Sequence, residues 1–227
     1  IHGDWGWTLE MISRVKAAGY VGFCITVDTA NYSRRERPML SNWKPVSRRN
    51  PPDPKWASSV TWDTIDRIKS EAGLPFMLKG IATAEDAKLA VQHGVDVVWV
   101  SNHGGRQLDH GQGTLEMLPE IVEAVGGQAQ IVLDGGIQRG TDVVKAIAMG
   151  ADAVAIGKMQ GWGLAAGGSD GLTRVLEILE EEIQIAMGLM GVTEVSQLNS
   201  NYVCDALPVI SSHEMSSWVN MSEPRIR

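Results

Sequence analysis

Apolar and polar positions follow a grammar that recurs along the chain. Residues 15–28 (VKAAGYVGFCITVD), 88–101 (KLAVQHGVDVVWVS) and 144–157 (VKAIAMGADAVAIG) each pass from a helix-like stretch through a glycine into a short apolar run that ends at polar or glycine residues. Gly19, Gly94 and Gly150 hold the same place in each. Glycine there suits the left-handed residue that commonly ends a helix. The runs behind them are rich in Val, Ile and Ala on both faces, as strands buried between two layers must be. Two further strands are predicted, at residues 74–79 (LPFMLK) after the helix-like 61–72, and at residues 130–134 (QIVLD) after the helix-like 119–125. Residues 173–188 predict a closing helix.

Helix and strand thus alternate five times with short links, which means parallel strands joined by helical crossovers. A doubly wound sheet and a (β/α)8 TIM barrel both have this order. The strand ends favour the barrel: Asp28, Lys79, Ser101-Asn102-His103, Asp134-Gly135-Gly136 and Gly157-Lys158 follow the apolar runs directly. Polar groups spread over every strand end fit the barrel's active-site face, whereas a doubly wound sheet gathers them at one switch point. A barrel needs eight strands, so residues 1–191 are expected to supply strands 4–8, with strands 1–3 preceding Ile1. Residues 34–56, with Pro45, Pro51, Pro52 and Pro54, are irregular and are expected to form a lid-like loop over the mouth. Residues 192–227 change character and are expected to form a tail on the barrel's underside.

Composition narrows the class. The hydrophobic fraction is 44%, the charged fraction 21% and mean hydropathy -0.07, the balance of a globular chain rather than a disordered tail or fibre. No apolar run approaches the ~20 residues of a membrane span. The net charge of -7 argues against a general nucleic-acid binder. Cys24 and Cys204 are too few for a disulfide framework; Cys24, inside an apolar run, reads as a small buried thiol, and a cytoplasmic setting is the default expectation.

Several residues can do chemistry. The cluster from Asp134 to Gly140 and the pair Gly157-Lys158 stand after the last two predicted strands, where barrels of this type recurrently bind phosphate on bare backbone N–H groups. Tight turns alone are the plainer reading of either cluster; two adjacent clusters, each with a basic residue, favour phosphate. The nearby glycine-rich Gly161–Gly171 is weaker evidence for phosphate, with a plain surface loop as the other reading. His103, followed by two glycines, can approach a ligand and titrate near neutral pH, or serve as a structural histidine. Arg106, Arg34 and Arg35 can clamp an anion in a bidentate fork, while Arg37 reads as a solvated charge. Asp28 can stabilise a protonated His103 or cap a turn, and Lys79 needs an anionic partner, either a cofactor or a structural carboxylate. His93, just before Gly94, reads as a favourable helix-end charge.

Taken together these strings resemble the FMN-dependent 2-hydroxy-acid oxidase and dehydrogenase family, from about Asp4 to about Tyr202. Ser101-Asn102-His103-Gly104-Gly105-Arg106-Gln107-Leu108-Asp109 is close to a family signature, and Thr26-Val27-Asp28-Thr29, Arg34-Arg35-Glu36, Leu78-Lys79-Gly80 and Leu133-Asp134-Gly135-Gly136 support it in the correct order. The resemblance implies oxidation of a small (S)-2-hydroxy acid to the 2-oxo acid with FMN as cofactor, and a homo-oligomer, by family habit a tetramer. It implies His103 as base, Asp28 as its carboxylate partner, and Arg106 with Arg35 on the substrate carboxylate. Lys79 would stand by the reduced flavin's negative edge. Thr26 and Ser101 would bond the flavin, and Asp134, Gly135, Gly136, Ile137, Gln138, Gly157 and Lys158 would hold ribityl and phosphate. Lys158 stands where many members carry arginine, and Gln138 where a basic residue is common, with Arg139 beside it; both exchanges imply a weaker phosphate grip. Another FMN barrel enzyme, such as an isomerase, should lack the His103, Arg106 and Arg35 set. A flavin-less fragment with a binding or structural role is the reading outside enzymes.

Overall fold

The structure, a computed structural model, describes residues 3–43 and 57–206. Five strands, β1 (Phe23–Thr26), β2 (Phe76–Ile81), β3 (Val97–Val100), β4 (Gln130–Asp134) and β5 (Ala153–Ala155), form one parallel sheet in chain order. A doubly wound sheet would reverse direction at a switch point. No reversal occurs among the described strands, as the barrel requires.

The helices between them start where the sequence offers an acceptor. Asp4 caps α1 (Trp5–Ala17) by accepting from Trp7 N–H at 2.9 Å, and Thr83 caps α4 (Ala84–Gln92) by accepting from Asp86 N–H at 3.2 Å. Thr61 and Thr64 exchange side-chain and backbone bonds, each 3.3 Å, at the start of α3 (Trp62–Ala72). Gly19, Gly94 and Gly150 follow their helices with φ of +74°, +63° and +105°, as the repeat predicts. Among residues 34–43 lies the short α2 (Glu36–Leu40); residues 44–56 of the expected lid and 207–227 of the expected tail lie outside the described residues.

Two expectations about elements are corrected. Helix α5 (Thr114–Val125) begins five residues before Pro119, because Glu116 caps the Gly113 N–H and Thr114, Met117 and Leu118 are buried; Pro119 is an interior residue. Helix α7 (Lys158–Met190) includes the stretch for which a surface loop is one reading. It bends at Gly167 and Gly168, and a Cβ on Gly163 would stand 2.8 Å from Gly171 O, so these glycines let the two arms meet. The first part of the tail packs on α6 (Gly140–Ala148): Val192 and Leu198 join Val144 and Ala148 in a second apolar cluster.

Strand side chains alternate between faces. Ile25, Phe76, Leu78, Val98, Val100, Ile131 and Leu133 are buried with Ile65 and Ile68 of α3, Ala87 of α4 and Leu118 and Ile121 of α5. The other face of the sheet carries Cys24, Met77, Lys79, Trp99, Val132 and Asp134. Cys24 is exposed there, not buried as its apolar surroundings predict, because the helices cover only the face to which Ile25 points.

Candidate active site

The polar strand ends meet at one edge of the sheet. Lys79, at the end of β2, reaches past β3 to Asp134 at the end of β4, Nζ to Oδ2 2.9 Å, with both side chains mostly buried. Ser101 lies between them. Its hydroxyl accepts from Lys79 Nζ at 2.7 Å and from His103 N–H at 3.1 Å, and donates to Asp134 Oδ1 at 2.7 Å. A buried ion pair is tolerable when its remaining sites are bonded, and Ser101 supplies that. Thr26 pairs in register with Lys79 on the same sheet face.

His103 stands in the left-handed region with φ +56°, an uncommon conformation for a non-glycine that costs on the order of 1–3 kcal/mol and collects at functional sites. The Ser101 bond holds its backbone, and its Nδ1 lies 3.0 Å from Asp28 Oδ1. Asp28 reaches this position because β2 bulges at Gly80, where the register slips between Lys79 and Ile81. With φ +110°, a Cβ there would stand 2.8 Å from Asp28 N and Cβ, so only glycine admits the close approach.

The loop after β1 and the loop after β3 are tied together. Besides His103–Asp28, Ser33 Oγ donates to Arg106 O, and Gln107 bonds Asp28 O, Asn31 O and Arg35. Arg35 lies over the Tyr32 ring, 4.3 Å to its centroid, with Nη2 2.8 Å from Gln107 Oε1. Arg106 borders the main cavity, whereas Arg35 does not line it. Arg34 is exposed and paired with Glu36. His93 is the C-cap residue of α4, with Nδ1 2.9 Å from Asp66 and its ring stacked on Trp62.

The cavity, about 590 Å³, is lined by Lys79, Trp99, His103, Arg106 and Asp134 on one side and by Gly135, Gly136, Ile137, Gln138, Gly157 and Lys158 on the other. That size suits a cofactor. Gly157 precedes α7 with no side-chain cap and open space around it, so the first turn of α7 presents bare N–H groups beside Lys158, an anion cradle. Lys158 Nζ donates to Gly104 O at 2.8 Å. Arg139 is turned away: its Nε pairs with Glu182 Oε1 at 2.7 Å on α7, so it does not replace the basic residue that Gln138 lacks. Trp99, which the apolar run VVWV conceals as mere core, lines the cavity, and its buried indole N–H has no hydrogen-bond partner among the described residues. A phosphate-bearing, acceptor-rich ring cofactor fits these donors. Among the described residues no group of side chains is arranged to hold a metal ion, and no helix is long and apolar enough to cross a membrane.

A parallel sheet with helical crossovers, and an uncapped helix start beside a histidine–carboxylate pair, fit the class of barrel oxidoreductases that use a phosphate-bearing flavin. The comparisons agree. The family of FMN-dependent dehydrogenases matches residues 1–205, and the chain belongs to this family. It is 40% identical over 226 residues to an L-lactate oxidase of Nostoc sp., covering 89% of this chain and 62% of that protein. It is 38% identical over 215 residues to a peroxisomal (S)-2-hydroxyacid oxidase of Arabidopsis thaliana, covering 86% and 59%. A solved structure of a mandelate oxidase mutant with the C4a-OH-FMN adduct superposes with a TM-score of 0.77 at 40% identity, covering 85% of this chain and 58% of that one. The chain thus spans about 60% of the length of these relatives. FMN is the cofactor of the family.

Proposed function

We propose that the chain supplies the base, the carboxylate clamp and the phosphate cradle for oxidation of a small (S)-2-hydroxy acid to the 2-oxo acid. One observation carries this reading: Asp28 occupies Nδ1 of His103 at 3.0 Å, leaving Nε2 for the cavity that Arg106 and Lys79 also line. Nδ1–H donates to the Asp28 carboxylate, which orients the ring and stabilises the imidazolium formed when Nε2 takes a proton from the substrate. Arg106, which borders that cavity, and Arg35, on the adjoining loop after β1 and tied to the Arg106 loop by Gln107, would close on the substrate carboxylate and so fix which face of C2 is presented. FMN, when bound, would supply the redox chemistry, a sink for the two electrons of C2 and a route for them to oxygen or another acceptor. Lys79 provides a cation, held by Ser101 and Asp134, where negative charge develops at the end of β2. Thr26 and Ser101 would bond the flavin ring, and Asp134, Gly135, Gly136, Ile137, Gln138, Gly157 and Lys158 would hold ribityl and phosphate. The exposed apolar side chains of α7, Trp162, Leu176, Ile185 and Leu189, support a homo-oligomer, and the unpaired cysteines support a reducing compartment such as the cytoplasm.

The test uses the full-length protein loaded with FMN. Mixing it anaerobically with a panel of 2-hydroxy acids should bleach the flavin's visible absorption; a protein that stays yellow with all of them overturns the reading. His103→Gln should keep its flavin and lose reduction rate by about 10²–10⁴-fold, the usual contribution of a general base. Wild-type bleaching in that variant removes His103 from the role.

A further inference from the structure

Gln107, in the loop after β3, ties that loop to the loop after β1 without lining the cavity that His103 and Arg106 border. The side chain is half-buried and its amide makes three bonds: Oε1 accepts from Arg35 Nη2 at 2.8 Å, and Nε2 donates to Asp28 O and to Asn31 O, each at 2.9 Å. The partners fix the orientation of the amide. A guanidinium only donates and a carbonyl only accepts, so the flipped amide would lose all three bonds. The bonds reach from the loop that carries His103 and Arg106 to the loop that carries Asp28 and Arg35. They fix the backbone of the residue that holds His103, and they hold one nitrogen of the fork that Arg35 presents.

We propose that Gln107 is a positioning residue that acts through Arg35: it sets the Arg35 guanidinium against the substrate carboxylate and keeps the clamp in step with His103. The proposal rests on the 2-hydroxy-acid reading given above. Glutamine is suited to both halves of the task. A glutamate in its place would keep an acceptor for Arg35, but it could not donate to the two carbonyls and would neutralise the charge meant for the substrate. A methionine would fill similar space with no bonds at all.

Full-length, FMN-loaded protein is reduced anaerobically by the 2-hydroxy acid that bleaches the wild type best, and the substrate dependence of the rate is recorded. Loss of a hydrogen bond to a charged group is worth about tenfold or more in affinity, so Gln107→Met should raise the half-saturating substrate concentration by about that factor. The limiting rate should fall far less, the pattern of lost substrate binding rather than lost chemistry. Gln107→Glu, nearly isosteric, should raise it further, and it serves should the methionine variant not fold. In an Arg35→Met background, adding Gln107→Met should change little, because the side chain through which it acts is gone. Either variant binding substrate like the wild type, or effects that multiply in the Arg35→Met background, overturns the proposal. A wild type that no 2-hydroxy acid bleaches fails at the earlier reading and takes this one with it; a wild type that bleaches beside unaffected Gln107 variants fails here alone.

Discussion

Cys24 shows what one residue's face decides. It stands on the side of β1 away from the helices, where partial burial raises its thiol pKa from the ordinary value, against the pull of the Lys79 ammonium nearby. The folded chain therefore keeps a proton that the unfolded chain releases first. The stability tied to that proton is fully present below the ordinary thiol range and is lost as pH rises through the raised value. Urea unfolding from about pH 8 to about pH 10.5 should show the wild type losing more stability than Cys24→Ser; parallel profiles would remove the thiol from the balance. The exposure was illegible in the sequence, because an apolar run does not say which face a sheet will cover. Asp28, Lys79, His103 and Asp134 were legible, since a polar residue ending such a run has few places to go. Arg139 was not: its partner Glu182 lies 43 residues further along the chain, and nothing local marks the pair. Gln107 is equally silent, because its value comes from carbonyls on a distant loop.

Among elements, the contact of α6 with α7 depends on the absence of a single side chain. A Cβ on Gly140 would stand 2.6 Å from Glu182 Cβ and from Ile183 N, and Glu182 Oε2 accepts from Gly140 N–H at 2.7 Å, capping α6 from its neighbour. Gly140→Ala should cost about 1–3 kcal/mol, the range for overpacking a tight contact. Gly188 also lies within α7, but in open space. There the same substitution should stabilise by about 0.5–1 kcal/mol through helix propensity. Denaturant midpoints that move the same way in both variants would contradict the packing. Helix-ending glycines and capping threonines were readable because their causes are local. The start of α5 was hidden because Pro119 looks like a first-turn residue, and the earlier turn is held by burial of Met117 and Leu118, which only the assembled sheet provides.

Across the whole molecule the two rims of the sheet have separate tasks. The carboxyl ends hold the site, and the amino ends carry a repeated fastening. Asp96 Oδ2 accepts from Phe76 N–H at 2.7 Å, and Asp152 Oδ2 accepts from Ile131 N–H at 2.7 Å, each joining its strand to the preceding one. Both aspartates come two residues after a helix-ending glycine, in Gly94-Val95-Asp96 and Gly150-Ala151-Asp152; the first repeat, Gly19-Tyr20-Val21, lacks the carboxylate. The spacing is visible in the sequence, but its purpose depends on strand order, because the bonded N–H belongs to the neighbouring strand. In barrels of this kind the amino-terminal face serves stability and the opposite face serves catalysis. Asp96→Ala and Asp152→Ala should therefore each cost about 1–3 kcal/mol, the penalty for stranding a buried donor, while folded protein keeps its flavin and its reduction rate. His103→Gln should do the reverse, sparing the urea midpoint and removing the rate. If an aspartate variant of full stability bleaches slowly, the amino-terminal rim shares in the chemistry and this separation of the two rims is wrong.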